Sequence, residues 1–340
     1  YSLETKKVPN AIIAINLDVL EKIIKIVGPI EIPEYKIRVD SKNIGSVMQD
    51  TIQQNNFPGS TAKKDLLLKI LNQLVLKSHS DKAKSFEVIK LLPSLLEEKN
   101  ILISFDNESL QKVFRANGYS SNLTDLRERK KNTSHDFLYV NEANIGVNKV
   151  NEFVKREIKY DATVTPEGIK SNLQIILNNE STKDNYKTYM QIAVPKGSKI
   201  EGIKINNIAQ KISPAITDQR VYEARGFSEP TTLEVEEYDI KSNTIFAFIV
   251  TIAKSQKSLI EISYSNGAEV SLSTIFGYSL KYIKQPGTSP YNSTTSIYFP
   301  ENYSPNGKNY KSKSNHISET KEITKDFDLN LELIENSTKN

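Results

Sequence analysis

Apolar positions in the first 150 residues fall either in short unbroken runs or at a spacing of three to four. From about residue 160 they alternate in twos. The first run, AIIAI at 11–15, predicts a buried strand. Leu17, Leu20, Ile23, Ile24 and Val27 then predict an amphipathic helix, with Asn16 as its cap and Gly28-Pro29 as its stop. An extended segment from Ile30 through Val39 follows, so strand, helix and strand with short joins predict a crossover unit in a mixed or parallel sheet. Further helices are expected over Ser41–Gln53, over Lys63–Lys77 with a stripe of Leu67, Ile70, Leu71, Leu74 and Val75, and over Ser80–Glu98 with Phe86, Ile89, Leu92 and Leu95. Pro93 should kink or divide the last of these. ILISF at 101–105 reads as a second strand, Asn107–Asn117 as a capped helix and FLYV at 137–140 as a third strand.

DFLYVNEANIGVNKVNEFVKREIKYD, from Asp136 to Asp161, reads as the join between two regimes: a strand, a polar loop and a short amphipathic helix. Beyond it Val164, Leu173, Ile175, Leu177, Tyr189, Ile192 and Val194 alternate with polar residues, and runs such as NTIFAFIVTIA and SLIEISYSN are separated by Gly, Pro, Asn or Ser. The fold expected is an α/β or α+β N-terminal domain with a mixed sheet covered by helices (1–158), then an antiparallel, immunoglobulin-like β-sandwich (159–310). A polar C-terminal segment (311–340) is expected to carry one strand, at 327–334.

Composition narrows the function classes. The 340 residues are 38% hydrophobic and 25% charged, the profile of a globular protein. The longest apolar runs fall short of the roughly 20 residues of a membrane helix. Residues 1–160 hold 25 Lys+Arg against 20 Asp+Glu, and the remainder 20 against 21, too slight a bias for a nucleic-acid face. The cluster Arg127-Glu128-Arg129-Lys130-Lys131 reads as a solvated loop. Zero cysteine removes disulfides and thiolate chemistry, and abundant Lys, Asn and Ile suggest an AT-rich bacterial genome.

Candidate chemistry is sparse. The three histidines, at 79, 135 and 316, stand at no metal-ligand spacing, and no nucleophile elbow, P-loop or dinucleotide fingerprint is present. Asp18, Asp40, Asp50, Asp65 and Asp106 could supply a metal-binding pair, although Asp18 and Asp65 each suit the first turn of a helix. In NIGVNK, Asn144, Asn148 and Lys149 could present an anion to a following helix; alternatively, Asn144 and Asn148 cap that helix while Gly146 permits a tight turn. Tyr186, Tyr189, Tyr278, Tyr282, Tyr291 and Tyr298 could stack on sugars or fill strands.

AIIAINLDVLEKIIKIVGPIEI, KKDLLLKILNQLVL, ILISFDNESLQKVF, the 136–161 stretch and YSLKYIKQPGT together resemble the C-terminal two-thirds of the domain-of-unknown-function 4012 family, with Asn144, Gly146, Asn148 and Lys149 the most distinctive positions. That resemblance implies an exported bacterial envelope protein, held at the membrane only through an N-terminal anchor absent from this chain, with no assigned activity. NLDVLEKIIKIVGPIEI and the 63–77 helix also resemble the LytR-CpsA-Psr family, which implies a phosphotransferase acting on polyprenyl-pyrophosphate-linked glycan with Mg²⁺. This chain departs from that pattern: NNFPGSTAKK stands where an Arg-rich segment belongs, and Lys63 and Lys64 are point charges without the bidentate fork of Arg. The leading expectation is a non-catalytic binding or scaffolding module for surface polysaccharide or cell wall, with no cofactor and no nucleic-acid partner. The alternative is the phosphotransferase, with Asp18, Lys63, Lys64 and Lys149 near the phosphate and Mg²⁺ as its cofactor.

Overall fold

Strand accounts for 48% and helix for 24% of the computed structural model, so the protein is mostly β, with large sheets. The structure describes residues 8–48, 62–120, 132–226, 228, 230–268, 270, 272–306 and 315–336. Two compact units divide the chain at 121/122. The expected boundary at 158 falls inside a strand, and that strand and the one before it both pair with strands much later in the chain.

In the first unit α1 (Leu17–Val27) is set by local signals. Asn16 accepts a hydrogen bond from the Val19 amide, Asp18 lies in the first turn, and Gly28, at φ 85°, ends the helix with its amide on the Ile24 carbonyl. Val19, Leu20, Ile24 and Val27 are buried. The crossover unit does not form. β1 (Ala11–Ile15) pairs antiparallel with β4 (Ile101–Phe105), and the extended segment is a hairpin of β2 (Ile30–Ile32) and β3 (Ile37–Val39), reversed at Pro33–Tyr35 and at Lys36, whose φ is 52°. Two two-stranded antiparallel sheets therefore replace the mixed sheet among the described residues.

α2 (Ala62–His79) buries Leu66, Ile70 and Leu74, so its stripe is rotated from the expected one and leaves Val75 exposed. α3 (Lys82–Glu97), capped by Asp81, runs through Pro93 and buries Leu95, while Phe86, Ile89 and Leu92 face solvent. α4 (Glu108–Ala116) starts at the Asn107 cap. Residues 44–48 are helical, and the rest of the helix expected to Gln53 lies outside the described residues.

The second unit is built from β5 (Thr133–Asn144), β6 (Val154–Thr165), β7 (Gly168–Asn179), β8 (Tyr186–Pro195), β9 (Ser198–Ile205), β10 (Ile208–Ala209), β11 (Ile212–Pro214), a short α5 (Gln219–Ala224), β12 (Leu233–Ile240), β13 (Asn243–Ile252), β14 (Gln256–Asn266), β15 (Ile275–Ile283), β16 (Tyr291–Tyr298), β17 (Tyr303–Pro305), β18 (His316–Ile323) and β19 (Phe327–Glu335). They form a seven-stranded sheet, β10-β9-β14-β7-β6-β16-β18, and an eight-stranded sheet, β11-β12-β13-β8-β5-β15-β19-β17. One buried cluster draws on both, with Ile158, Leu173, Ile260 and Ile297 from the first and Leu138, Ile192, Phe248 and Leu329 from the second. The segment after the polar loop is not a helix: one 3-10 turn at Val150–Phe153 leads directly into β6, which buries Val154, Ile158, Tyr160, Ala162 and Val164 at a period near two. β6 pairs with β16 and β5 with β15, both parallel, which departs from the all-antiparallel, seven-to-nine-strand immunoglobulin plan. The C-terminal segment supplies two strands, β18 and β19, where one was expected.

Candidate functional site

The residues singled out from sequence fall into both units. Asp18 serves the first turn of α1, and Lys64 is exposed in the first turn of α2, where Lys63 also lies with its side chain outside the described residues. Asp40 accepts from the amides of Lys42 and Asn43 at 2.8 and 3.0 Å, an Asx turn, and Asp65 and Asp106 are exposed. Asp50, the Arg127–Lys131 cluster and most of NNFPGSTAKK lie outside the described residues.

Asn144, Asn148 and the loop between them are brought together, for a structural purpose. Asn144 Nδ2 donates to the Asn148 carbonyl at 2.8 Å and to Asn148 Oδ1 at 3.1 Å, and Asn144 Oδ1 accepts from the Gly146 amide at 2.9 Å. Asn148 Oδ1 also accepts from the Val150 amide, and Asn148 Nδ2 donates to the Asn185 carbonyl. The left-handed position in this turn is Val147, at φ 56°, not Gly146. With the Gly146 and Val150 amides taken by the two asparagine side chains and only one 3-10 turn behind the loop, the arrangement does not offer the helix N-terminus that anion binding needs. Lys149 is exposed beside it.

Four of the six candidate tyrosines are core residues: Tyr186, Tyr278, Tyr282 and Tyr291 are buried. Tyr278 and Tyr186 belong to two internal networks that sequence reasoning missed, and Tyr282 and Tyr291 meet each other at 3.3 Å. Asp136 is buried and its Oδ2 accepts from the hydroxyls of Tyr160 and Tyr278, each at 2.5 Å, while Tyr160 also meets Ser171 at 2.9 Å. Burial, then the Asp136 charge, push both tyrosines well above the ordinary value near 10, so both remain donors. In the second network Arg156 Nε donates to Glu142 at 2.9 Å and Tyr186 to the other carboxylate oxygen at 3.0 Å. Burial disfavours the Arg156 charge, and Glu142 outweighs it and raises the pKa. These enclosed groups are satisfied by one another, which suits a structural role.

Open chemistry lies on the other side of the eight-stranded sheet. Alternation turns Lys187, Tyr189 and Gln191 of β8, Ala247 and Ile249 of β13, and Glu234, Glu236 and Tyr238 of β12 away from the core. The segment carrying α5 lies over this face and encloses a cleft of about 590 Å³ lined by Lys187, Tyr189, Tyr222, Glu234, Glu236 and Ile249, among others. Tyr189 donates to Glu236 at 2.6 Å and Tyr222 to Glu234 at 2.5 Å, so each carboxylate is held through one oxygen. Burial and the Glu236 bond raise Tyr189, and the Glu234 bond raises Tyr222, keeping both protonated. The same face continues through Gln191, which donates to Tyr238 at 2.9 Å and accepts from Asn141 at 2.8 Å. It then reaches a second cleft of about 900 Å³ lined by His135, Ser279, Asp328, Asn330 and Glu332, among others. Among the described residues no group of three or more His, Asp or Glu is placed to hold a metal ion. EVEEY was the available signal for the first cleft, since two glutamates flanking a buried valine must share a face.

No protein-family model matches this chain, and no curated protein matches it either. Among solved structures it is similar to a candidate nutrient binding protein from Legionella pneumophila, with 10% identity and a TM-score of 0.34 over 54% of this chain and 67% of that one. An M1 zinc metallopeptidase from Deinococcus radiodurans is similar at 7% identity and a TM-score of 0.26, over 53% of this chain and 42% of that one.

Proposed function

We propose that this chain, an α+β unit followed by a two-sheet unit, is a non-catalytic binding or scaffolding module for bacterial surface polysaccharide or cell wall, displayed outside the cytoplasm. Its contact surface is the outer face of the eight-stranded sheet. The observation that carries this reading is the cleft under α5, where an apolar wall (Ala247, Ile249) meets hydroxyls and carboxylates already oriented by tyrosines. Sugars offer complementary chemistry, C–H faces for the apolar wall and hydroxyls for the carboxylates. Among the described lining residues, two carboxylates against one ammonium, that of Lys187, favour neutral or amino-bearing sugars over anionic ones. Among the described residues no helix is long and apolar enough to cross a membrane.

Titration calorimetry with wall-type oligosaccharides, neutral, amino-bearing and phosphate-bearing, tests this. Neutral or amino-bearing ligands should bind, and Glu236→Gln should weaken binding about tenfold, the effect of losing one charge-assisted hydrogen bond worth about 1.5 kcal/mol. Absence of binding, or an affinity indifferent to Glu236→Gln and Tyr189→Ala, sinks the reading. Preference for a polyprenyl pyrophosphate with Mg²⁺ would turn it toward phosphoryl transfer.

A further inference from the structure

A sheet's outer strands present unpaired backbone groups, and proteins blunt them with short strands, proline or charge. The second unit does so at all four of its edges. β10 has two residues, β11 and β17 have three each and end in Pro214 and Pro305, and β18 carries Glu319, Lys321 and Glu322. β1 in the first unit has none of these devices. Its sequence, AIIAI, is apolar throughout, the signature of a strand covered on both faces, yet Ile12 and Ile13, which point to opposite faces, are each 63% exposed.

The backbone shows which groups are unused. The Asn10 carbonyl accepts from the Asp106 amide and the Asn16 amide donates to the Asn100 carbonyl, so even-numbered residues turn toward β4. Ala11, Ile13 and Ile15 therefore turn their N–H and C=O groups to the other edge, which is unpaired among the described residues. The far edge of β4 is different, because the outward amide of Phe105 is already bonded to Gln111 Oε1 at 2.8 Å.

We infer that β1 is a docking edge for a second copy of this chain, through antiparallel pairing of β1 with its own counterpart about a two-fold axis at Ile13. The register is self-consistent. Ile13 meets Ile13 of the second copy, Ala11 meets Ile15 and Ile12 meets Ala14, so every larger side chain off the axis faces a smaller one. The pairs at 11, 13 and 15 are those whose amides and carbonyls face outward, and each exchanges two hydrogen bonds. Joining the copies makes a four-stranded sheet from two-stranded ones, which alone are marginal. The occupant must be apolar on both faces, and β1 itself has that character. The segments of this chain outside the described residues, YSLETKK, DTIQQNNFPGST and the 121–131 stretch among them, are polar.

Sedimentation of the whole chain should show a mass that rises from 38.4 kDa toward twice that value as concentration enters the high micromolar range. Ile13→Lys, at an exposed position that empties no core, should abolish the rise by setting like charges opposite each other, while circular dichroism stays unchanged. Because the chain has no cysteine, Ile13→Cys gives a second readout. Directly paired residues lie about 5.5 Å apart at Cα, within disulfide range, so mild oxidation should link two copies. Val8→Cys, at 75% exposure and outside the register, should cross-link far less. A mass fixed at 38.4 kDa, an Ile13→Lys variant that associates like its parent, or equal cross-linking at both positions would overturn the inference.

Discussion

The two units solve the problem of a stable interior differently. The buried clusters of the first are wholly aliphatic, Leu, Ile and Val, and its helices leave Phe86, Ile89, Leu92 and Val75 in solvent. The second unit packs tyrosine and phenylalanine between its sheets and buries Asp136, Glu142 and Arg156 among them, each with hydrogen-bond partners. Of 21 large hydrophobic residues exposed among the described ones, 12 lie in residues 1–121, about a third of the chain. The aliphatic clusters of the first unit tolerate imprecision and leave surface uncovered. The polar interior of the second is demanding, because each hydroxyl and charge has one arrangement that satisfies it.

That contrast can be broken most sharply at Glu142. Glu142→Ala leaves the Arg156 guanidinium buried without its partner and should cost about 3–5 kcal/mol. In a urea titration the second unit's transition should move while the first unit's stays in place, and a loss below about 1 kcal/mol would show that the pair is dispensable.

Alkaline pH should separate the units next. Burial raises Tyr282 to about 12, so the folded state holds this proton more tightly than the unfolded chain, whose tyrosines titrate near 10. The contribution is fully present below pH 10 and is lost as pH rises through 12, on the order of 3 kcal/mol. Melting followed from pH 9 to 12 should show the second unit weakening first, since none of the first unit's described tyrosines is buried. Parallel loss in both units would contradict the assignment. The smallest effect belongs to the first unit: Asn107→Ala removes the acceptor for the Leu110 amide at the start of α4 and should cost about 1 kcal/mol there, read by the same urea titration.

Local features were legible in the chain. Asn16, Asp18 and Gly28 mark α1, and Asn107 marks α4, because a cap needs only its own turn. The placement of 133–165 was not, since β5 and β6 owe their positions to β15 and β16, and nothing within one strand announces so distant a partner. KVNEFVKREI carried helix-compatible spacing that its neighbours overrode. Nothing within the chain marks Asp136 and Arg156 for burial, since charged residues are usually solvated, and only the folded interior supplies the tyrosines and glutamate that make their burial tolerable. Of the residues singled out from sequence, Asn144 and Asn148 do meet in one tight turn, although no α-helix follows for them to cap, while the Glu234–Glu236 cleft depends on a covering segment whose path alternation alone does not give.

The parallel pairings also impose an order on the birth of the molecule. A ribosome releases β5 and β6 early, but the strands that flank them at the centre of each sheet, β15 and β16, begin only at Ile275 and Tyr291. Asp136 waits for Tyr278, 142 positions downstream, to complete its buried bonds. Throughout that interval the nascent sheets have bare central edges and an unsatisfied carboxylate, while the first unit can already have closed. Translation speed and chaperone protection should therefore matter most for the stretch between residues 166 and 298, after the first half of the sheets has emerged and before the second half can seal it.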